Sequence, residues 1–261
     1  MMATTLLSIK GLTKRFGGVT AVNNVSFAVQ PSSIHGLIGP NGSGKTTNFN
    51  VISGVYRPDG GQITFEGHPI SGMPAHRITR LGIARTFQNL RLFKTMSVLE
   101  NVLVGLSGSP LGRDTTFPWD PYIRPWRERA AETNMRAEAT ALLAQFQLTD
   151  LAYTPATSLP YGQQRRVEIA RALATKPRLL LLDEPAAGLN AEETRELEET
   201  FTQLVAGGLT ILMIEHDMRL VMGVCQWVTV LDQGKLIADG TPDMVRSNEN
   251  VLAAYLGKEE D

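Results

Sequence analysis

Cysteine is almost absent from this chain: Cys225 is the only one in 261 residues. A single thiol excludes an internal disulfide and any metal site made of several cysteines, and it fits a reducing compartment. Cys225 reads as a small apolar filler. Long apolar runs are missing too. The longest purely aliphatic one, Leu179 to Leu182, is far short of the roughly 20 residues that span a bilayer. The opening MMATTLLSIKG has no basic segment leading into an apolar stretch, so no signal peptide is expected. Nor is there an excess of one charge. A net charge of −1 argues against a protein held on nucleic acid by bulk positive charge. What remains is a globular composition, 43% apolar and 20% charged, long enough for one large α/β domain or two small ones. Such a core needs no disulfide or metal. A soluble chain is expected, one still able to dock onto a membrane protein.

Glycine, by contrast, is concentrated. The segment Gly39-Pro40-Asn41-Gly42-Ser43-Gly44-Lys45-Thr46 fits the phosphate-loop pattern G-x-x-x-x-G-K-[ST]. Before it lies SIHGLIG, short and apolar like a buried strand. After it comes KTTNFNVISG, with Phe49 and Ile52 on one helical face and Gly54 as a stop signal. Strand, glycine loop and helix together aim backbone N–H groups and a helix N-terminus at an anion. Glycines permit positive φ and close approach to phosphate oxygens. Lys45 then reaches the β- and γ-phosphates, and the Thr46 hydroxyl ligates Mg²⁺. A bare glycine-rich turn is the plain alternative, and this context disfavours it.

The second half of the chain narrows the type of nucleotide protein. KPRLLLLDEPAAGLN carries four leucines into Asp183-Glu184, a fully buried strand ending in two carboxylates. Asp183 can hold Mg²⁺, directly or through water. Glu184 can polarise a water attacking the γ-phosphate. Upstream, LPYGQQRRVEIARALA places Val167, Ala170 and Ala174 on one helical face. The turn Pro160-Tyr161-Gly162-Gln163 opens that helix, a second N-terminus able to face an anion. Downstream, the apolar strand Thr210 to Ile214 ends in Glu215-His216-Asp217. A histidine at that end of a strand lies where α/β sheets bind ligands. Neutral or charged, its imidazole could bond the γ-phosphate and orient water.

In this order and spacing, Gly39 to Thr46, Gln88, LPYGQ, LLLLDEP and His216 resemble the ATP-binding subunit of ABC transporters. The likeness runs from about Leu6 to Leu256. Within the family it is similar to subunits serving importers of branched-chain and other hydrophobic amino acids, through ARTFQNLRLFKTMSVLENVLVG, EPAAGLN and the tail GTPDMVRSNENVLAAYLG. The resemblance implies an α/β fold: a P-loop NTPase (RecA-like) core with an N-terminal antiparallel β-subdomain and an inserted α-helical subdomain. It implies one nucleotide-binding domain over 6–256. Core and β-subdomain would take about 6–90 and 165–240, the helical part about 91–164, and the C-terminal helix and tail about 241–261.

It further implies roles. ATP and Mg²⁺ are the cofactors. Phe16 would stack on adenine, since stacking needs only a π-face. Gly39, Pro40, Asn41, Gly42, Ser43, Gly44, Lys45, Thr46 and Thr47 would hold phosphates. Gln88 would sit between two subdomains near Mg²⁺ and the attacking water, with Thr46 and Asp183 as the other metal-side residues. Glu184, His216 and Gln88 form the catalytic set. Leu159, Pro160, Tyr161, Gly162 and Gln163 would bind the γ-phosphate of a second ATP-binding subunit, itself or a paralogue, in a head-to-tail dimer. Ala187 to Asn190 would touch across that dimer. Other partners would be integral-membrane permease subunits and, indirectly, an extracytoplasmic substrate-binding protein. The place would be the cytoplasmic face of the inner membrane, peripherally, with no nucleic acid bound.

Some positions depart from the family pattern. Pro160 and Tyr161 stand where Ser and Gly are general, so the serine hydroxyl is missing; backbone N–H groups could still serve. Asn190 replaces an aspartate, Asn48 a leucine, and Ser32-Ser33 a Gly-Glu pair.

Locally, Val25, Phe27 and Val29 alternate, and Ile63 and Phe65 share a face after a turn at Asp59-Gly60-Gly61. Ser97 to Glu100 reads as a capping box. Gly108 to Trp126 reads as a Pro-rich surface excursion, RERAAETNMRAEATALLAQF as an amphipathic helix, Thr241-Pro242-Asp243 as a helix start, and GKEED as an acidic tail. Leu90, Leu92, Phe93 and Lys94 are candidates for a groove that receives a permease helix. Rival readings are an importer ATPase for urea, amides or aromatic acids, a soluble ABC ATPase on nucleic acid or ribosomes, and a regulatory module without turnover. Intact Glu184 and His216 speak against the last.

Overall fold

The computed structural model describes residues 5–107 and 125–256, with only the backbone of 125–131 and 256. From the N-terminus, β1 (Leu7–Phe16) and β2 (Val19–Val29) form a hairpin through Gly17-Gly18, and β3 (Ile34–Ile38) leads to the helix Lys45–Ile52. β4 (Gly60–Phe65), β5 (His68–Pro69), the helix Ala75–Arg80 and β6 (Ile83–Arg85) follow. Next come helices Val98–Ser107, Pro125–Gln145 and Tyr161–Ala174, then β7 (Leu179–Asp183), the helix Ala191–Ala206 and β8 (Thr210–Ile214). The chain closes with the helix Met218–Val224, the strands β9 (Trp227–Asp232) and β10 (Lys235–Gly240), and helices Pro242–Arg246 and Glu249–Leu256.

The strands make two sheets. One is antiparallel, ordered β2-β1-β4-β5; the other runs β10-β9-β3-β8-β7-β6, parallel except for β10. Alternation along the strands explains how they stack. Leu37, Leu179, Leu181, Leu212 and Ile214 face a core shared with Ile9, Val25, Phe27, Phe49 and Phe65. Leu180, Leu182, Ile211 and Met213 face the other way, into a core with Val102, Val167, Ala170, Phe201 and Leu220. The second sheet is therefore covered on both faces, by the small sheet and by helices. That is why β3, β7 and β8 are buried at every position and read as mostly apolar runs.

Several local readings hold. The Ser97–Glu100 box is made in both directions: Glu100 N–H donates to Ser97 Oγ (3.3 Å) and Ser97 N–H to Glu100 Oε2 (2.7 Å). Thr241 caps the helix Pro242–Arg246 by accepting from Met244 N–H, with Pro242 in the first turn. Cys225 is buried, and burial pushes its thiol up to about 12. The excursion is shorter than its reading at one end, because the following helix begins at Pro125, a residue suited to a first helical turn. Its remainder, 108–124, and the GKEED tail lie outside the described residues. Ser32 has φ 51, a left-handed backbone, which accounts for glycine being usual there. Its N–H donates to Thr210 Oγ1 at 2.9 Å.

Candidate functional site

Register decides what meets at the carboxyl edge of the parallel strands. Leu37 pairs with Ile214, Ile214 with Asp183, and Arg85 with Leu181. The residues that follow each strand, Gly39 after β3, Glu184 after β7, Glu215-His216 after β8 and Gln88 after β6, thus leave the sheet along one edge.

Gly39, Gly42 and Gly44 have φ 144, 78 and 99. Space as well as conformation demands glycine here: a Cβ on Gly39 would lie 2.0 Å from the Leu231 carbonyl oxygen, and one on Gly44 would lie 2.5 Å from that of Ala21. Strands β9 and β2 therefore brace the loop from two sides. Lys45 is buried, and its Nζ donates to the carbonyls of Gly39 (2.6 Å) and Pro40 (2.9 Å), folded across the concavity of the loop. Thr46 is exposed in the first turn of the helix. Asn48 is fully buried. Its Nδ2 bonds the Gly44 carbonyl at 3.0 Å and its Oδ1 has no partner, so the apolar residue usual there would fit the surroundings.

The two carboxylates have opposite settings. Asp183 is buried against Arg85, whose Nη2 donates to Oδ2 at 3.0 Å. Arg85 is itself held by Asn50 Oδ1 (2.7 Å) and Ser53 Oγ (3.0 Å). Burial pushes the Asp183 carboxyl above its ordinary range, against the opposing pull of Arg85. Asp183 Oδ1 is buried without a partner. A buried carboxylate oxygen left open, together with a hydroxyl such as that of Thr46, is a hard-oxygen donor set that fits Mg²⁺.

Glu184 has φ 50, an uncommon conformation for a non-glycine residue, fixed by its N–H bonding the Ile214 carbonyl at 2.9 Å. That twist turns its side chain to two partners: His216 Nε2 lies 2.6 Å from Oε1, and Gln88 Nε2 donates to Oε2 at 3.0 Å. The three residues named for catalysis are therefore in direct contact. Glu215, which the sequence reading left without a role, is buried beneath them. Its two oxygens accept from Ala186 N–H (2.7 Å) and His216 N–H (3.0 Å), which sets the backbone of both loops. Burial raises its carboxyl above the usual range.

The segment Leu159 to Gln163 is joined to Gln88 of this trio through Arg165. Its helix starts at Tyr161, with Pro160 as the residue before the first turn. Gly162 leaves room for Glu193: a Cβ there would come 2.4 Å from Glu193 Oε1 and displace that carboxylate. Arg165, another residue the sequence reading missed, is fully buried and ion-paired with Glu168 at 2.9 Å. It donates to the carbonyls of Phe87 (2.8 Å) and Gln88 (3.0 Å) and to Tyr161 Oη (3.0 Å). Asn190 caps the helix Ala191–Ala206 in a capping box with Glu193, a task asparagine performs as well as aspartate. Phe16, at the end of β1, is 42% exposed and packs edge-on against Tyr56 with ring centroids 5.2 Å apart. Lys14 Nζ lies over the ring, 5.3 Å from its centroid, so adenine would stack on the opposite face. Among the described residues no helix is long and apolar enough to cross a membrane.

Against known proteins, residues 22–187 match the ABC transporter family model, and 235–261 match the model for branched-chain amino acid ATP-binding cassette transporters. The chain is 45% identical to the high-affinity branched-chain amino acid transport ATP-binding protein BraF of Pseudomonas aeruginosa, over 98% of this chain and 100% of the relative. It is equally similar, over the same shares, to LivG of Escherichia coli K12. A nucleotide-free ATP-binding cassette from an ABC transporter superposes with a TM-score of 0.84 at 32% identity, covering 97% of this chain and 100% of that one. The ADP conformation of MJ1267, an ATP-binding cassette of an ABC transporter, gives 0.82 at 34%, covering 97% of this chain and 99% of that one.

Proposed function

Because this chain belongs to the ATP-binding, ATP-hydrolysing subunits of ABC transporters, of the LivG and BraF type, we propose that it energises uptake of branched-chain or other hydrophobic amino acids. The single observation that carries the catalytic part is the Glu184–His216–Gln88 contact at the sheet edge beside the phosphate loop.

In this reading ATP lies with its phosphates against the Gly39–Thr47 loop and its adenine against Phe16. Lys45 leaves the Gly39 and Pro40 carbonyls for the β- and γ-phosphates, a charge-assisted exchange of partners. Glu184 accepts a proton from the attacking water while His216 and Gln88 fix which lone pairs of the carboxylate are free. Thr46, Asp183 and Gln88 would hold Mg²⁺, which supplies charge neutralisation to the phosphate oxygens. Arg85 keeps Asp183 oriented.

The other γ-phosphate contacts come from a second subunit, through the N-terminus of the helix that Tyr161 opens. Missing its serine, this turn works through backbone N–H groups. ATP binding then favours the closed pair of subunits by mass action, and hydrolysis releases them. The permease contact is the groove of about 380 Å³ lined by Phe87, Arg91, Phe93, Val104 and Arg171, next to Gln88. Phe93 is exposed there, with Leu90 and Leu92 half-buried beside it. This docking puts the chain on the cytoplasmic face of the inner membrane. One domain is proposed for 6–256, with the helical part over about 91–164.

Replacing the chromosomal copy with Lys45→Ala tests the reading. Cellular uptake of labelled leucine should fall to background, and ATP affinity of the purified variant should drop more than about tenfold, the scale of one charged hydrogen bond. Unchanged affinity contradicts the phosphate-loop assignment. Lost urea uptake with leucine uptake intact transfers the role to another substrate.

A further inference from the structure

Gln88 has two attachments that lead in opposite directions. Its side chain is bound to Glu184, at the edge that faces the protomer's own nucleotide. Its carbonyl is bound to Arg165, and the same guanidinium nitrogen, Nη2, also donates to Tyr161 Oη at 3.0 Å. Tyr161 is the first residue of the helix offered to the other subunit, and it is 43% exposed. Arg165 therefore joins two surfaces that lie far apart in sequence. It is a rigid joint: the side chain is fully buried, pinned by Glu168 and by the Phe87 carbonyl, and a guanidinium has a fixed planar fork. Its Nε is buried without a partner. The carbon of the guanidinium also stands 5.7 Å from the centroid of the Tyr161 ring.

We propose that Arg165 is a positioning residue that locks the Tyr161 turn to the Gln88 peptide, so that seating of the partner's nucleotide on the turn is transmitted to Glu184 of the same protomer. The tyrosine that replaces the general glycine is then the sensor, and its hydroxyl is the point of attachment. This inference rests on the dimer reading above.

Arg165→Met would strand Glu168 in the interior, so the test uses Tyr161→Phe, which keeps the ring and removes the hydroxyl. In the intact transporter, Tyr161→Phe should lower kcat of ATP hydrolysis at least about tenfold, the scale of a hydrogen bond to a charged donor. Its Hill coefficient in ATP should fall toward 1, as expected when two sites no longer communicate. Gln88→Ala lowers kcat by its own route. Combined with it, Tyr161→Phe should cost almost nothing more, because the path it interrupts has already been cut. That non-additivity supports the lock. Independent, multiplying losses with the Hill coefficient unchanged overturn it and leave Arg165 as a packing residue. The cycle separates this inference from its premise: a Glu184→Gln protein that stays monomeric with Mg-ATP refutes the dimer, whereas additivity in a protein that does dimerise refutes only the lock.

Discussion

Two polar clusters meet at Gln88, and they are built on opposite principles. The Glu184–His216–Gln88 trio lies at a sheet edge with His216 exposed, and its members bond chiefly one another. The Arg165–Glu168 pair is buried inside the helical region, and the guanidinium bonds backbone carbonyls, a buried carboxylate and the Tyr161 hydroxyl. The first arrangement can trade partners at little cost when a phosphate and a water arrive. The second cannot, because breaking a buried ion pair leaves an uncompensated charge. Chemistry is placed where hydrogen bonds are exchangeable, and geometry is held where they are not.

Substitutions that attack each side should give different kinds of loss. The largest effect belongs to Glu184→Gln: turnover falls at least about 100-fold, the contribution of a positioned general base, while ATP binding and the melting temperature stay near wild type. Near-normal steady-state hydrolysis would remove Glu184 from the role. Next, Glu168→Leu should cost about 3–5 kcal/mol of stability by leaving Arg165 unpaired, measured by chemical denaturation. A loss under about 1 kcal/mol, the scale of a surface pair, would erase the contrast between the clusters.

A pH experiment sharpens the comparison in a third place. His35 is fully buried on β3 with Nε2 bonded to Thr229 Oγ1 at 2.8 Å, and burial holds its imidazole down at about 3. Between about 6.5 and 3 the unfolded chain binds this proton and the folded one does not, so stability falls as pH falls through that window. Asp183, Glu168 and Glu215 are shifted up by burial and act with the opposite sign, gaining stability on acidification. His35→Gln isolates the first contribution. Between pH 7.5 and pH 5 the wild type should lose about 2 kcal/mol more than the variant; parallel curves would refute it. The smallest effect is at Asn190: Ala costs about 1 kcal/mol by removing the cap, and Asp is neutral, read from thermal unfolding.

Much of the site was legible because its signals are local. The phosphate loop, the leucine strand ending in Asp183-Glu184, the Ser97–Glu100 box and the Tyr161 helix each declare themselves within a short window. Arg85, Arg165 and Glu215 did not, since each acts on residues distant in the chain: Arg85 reaches Asp183, Arg165 reaches Phe87 and Gln88, and Glu215 reaches Ala186. Nothing in the spacing or helical period of QQRRVEIARAL marks an arginine as the buried one; Arg165 and Arg166 are neighbours, and only packing sends the first inward. The resemblance named Gln88 and His216, yet the strained φ of Glu184 that lets both reach one carboxylate emerges only from register.

Small-angle scattering of Glu184→Gln, titrated with Mg-ATP, tests the central claim most directly, that nucleotide is held between two subunits at this sheet edge. A twofold rise in particle mass at saturating Mg-ATP, absent with ADP and abolished by adding Lys45→Ala, is the predicted result. A particle that keeps its monomer mass at saturation, alone and when mixed with the cassette that shares its permease, would contradict the account.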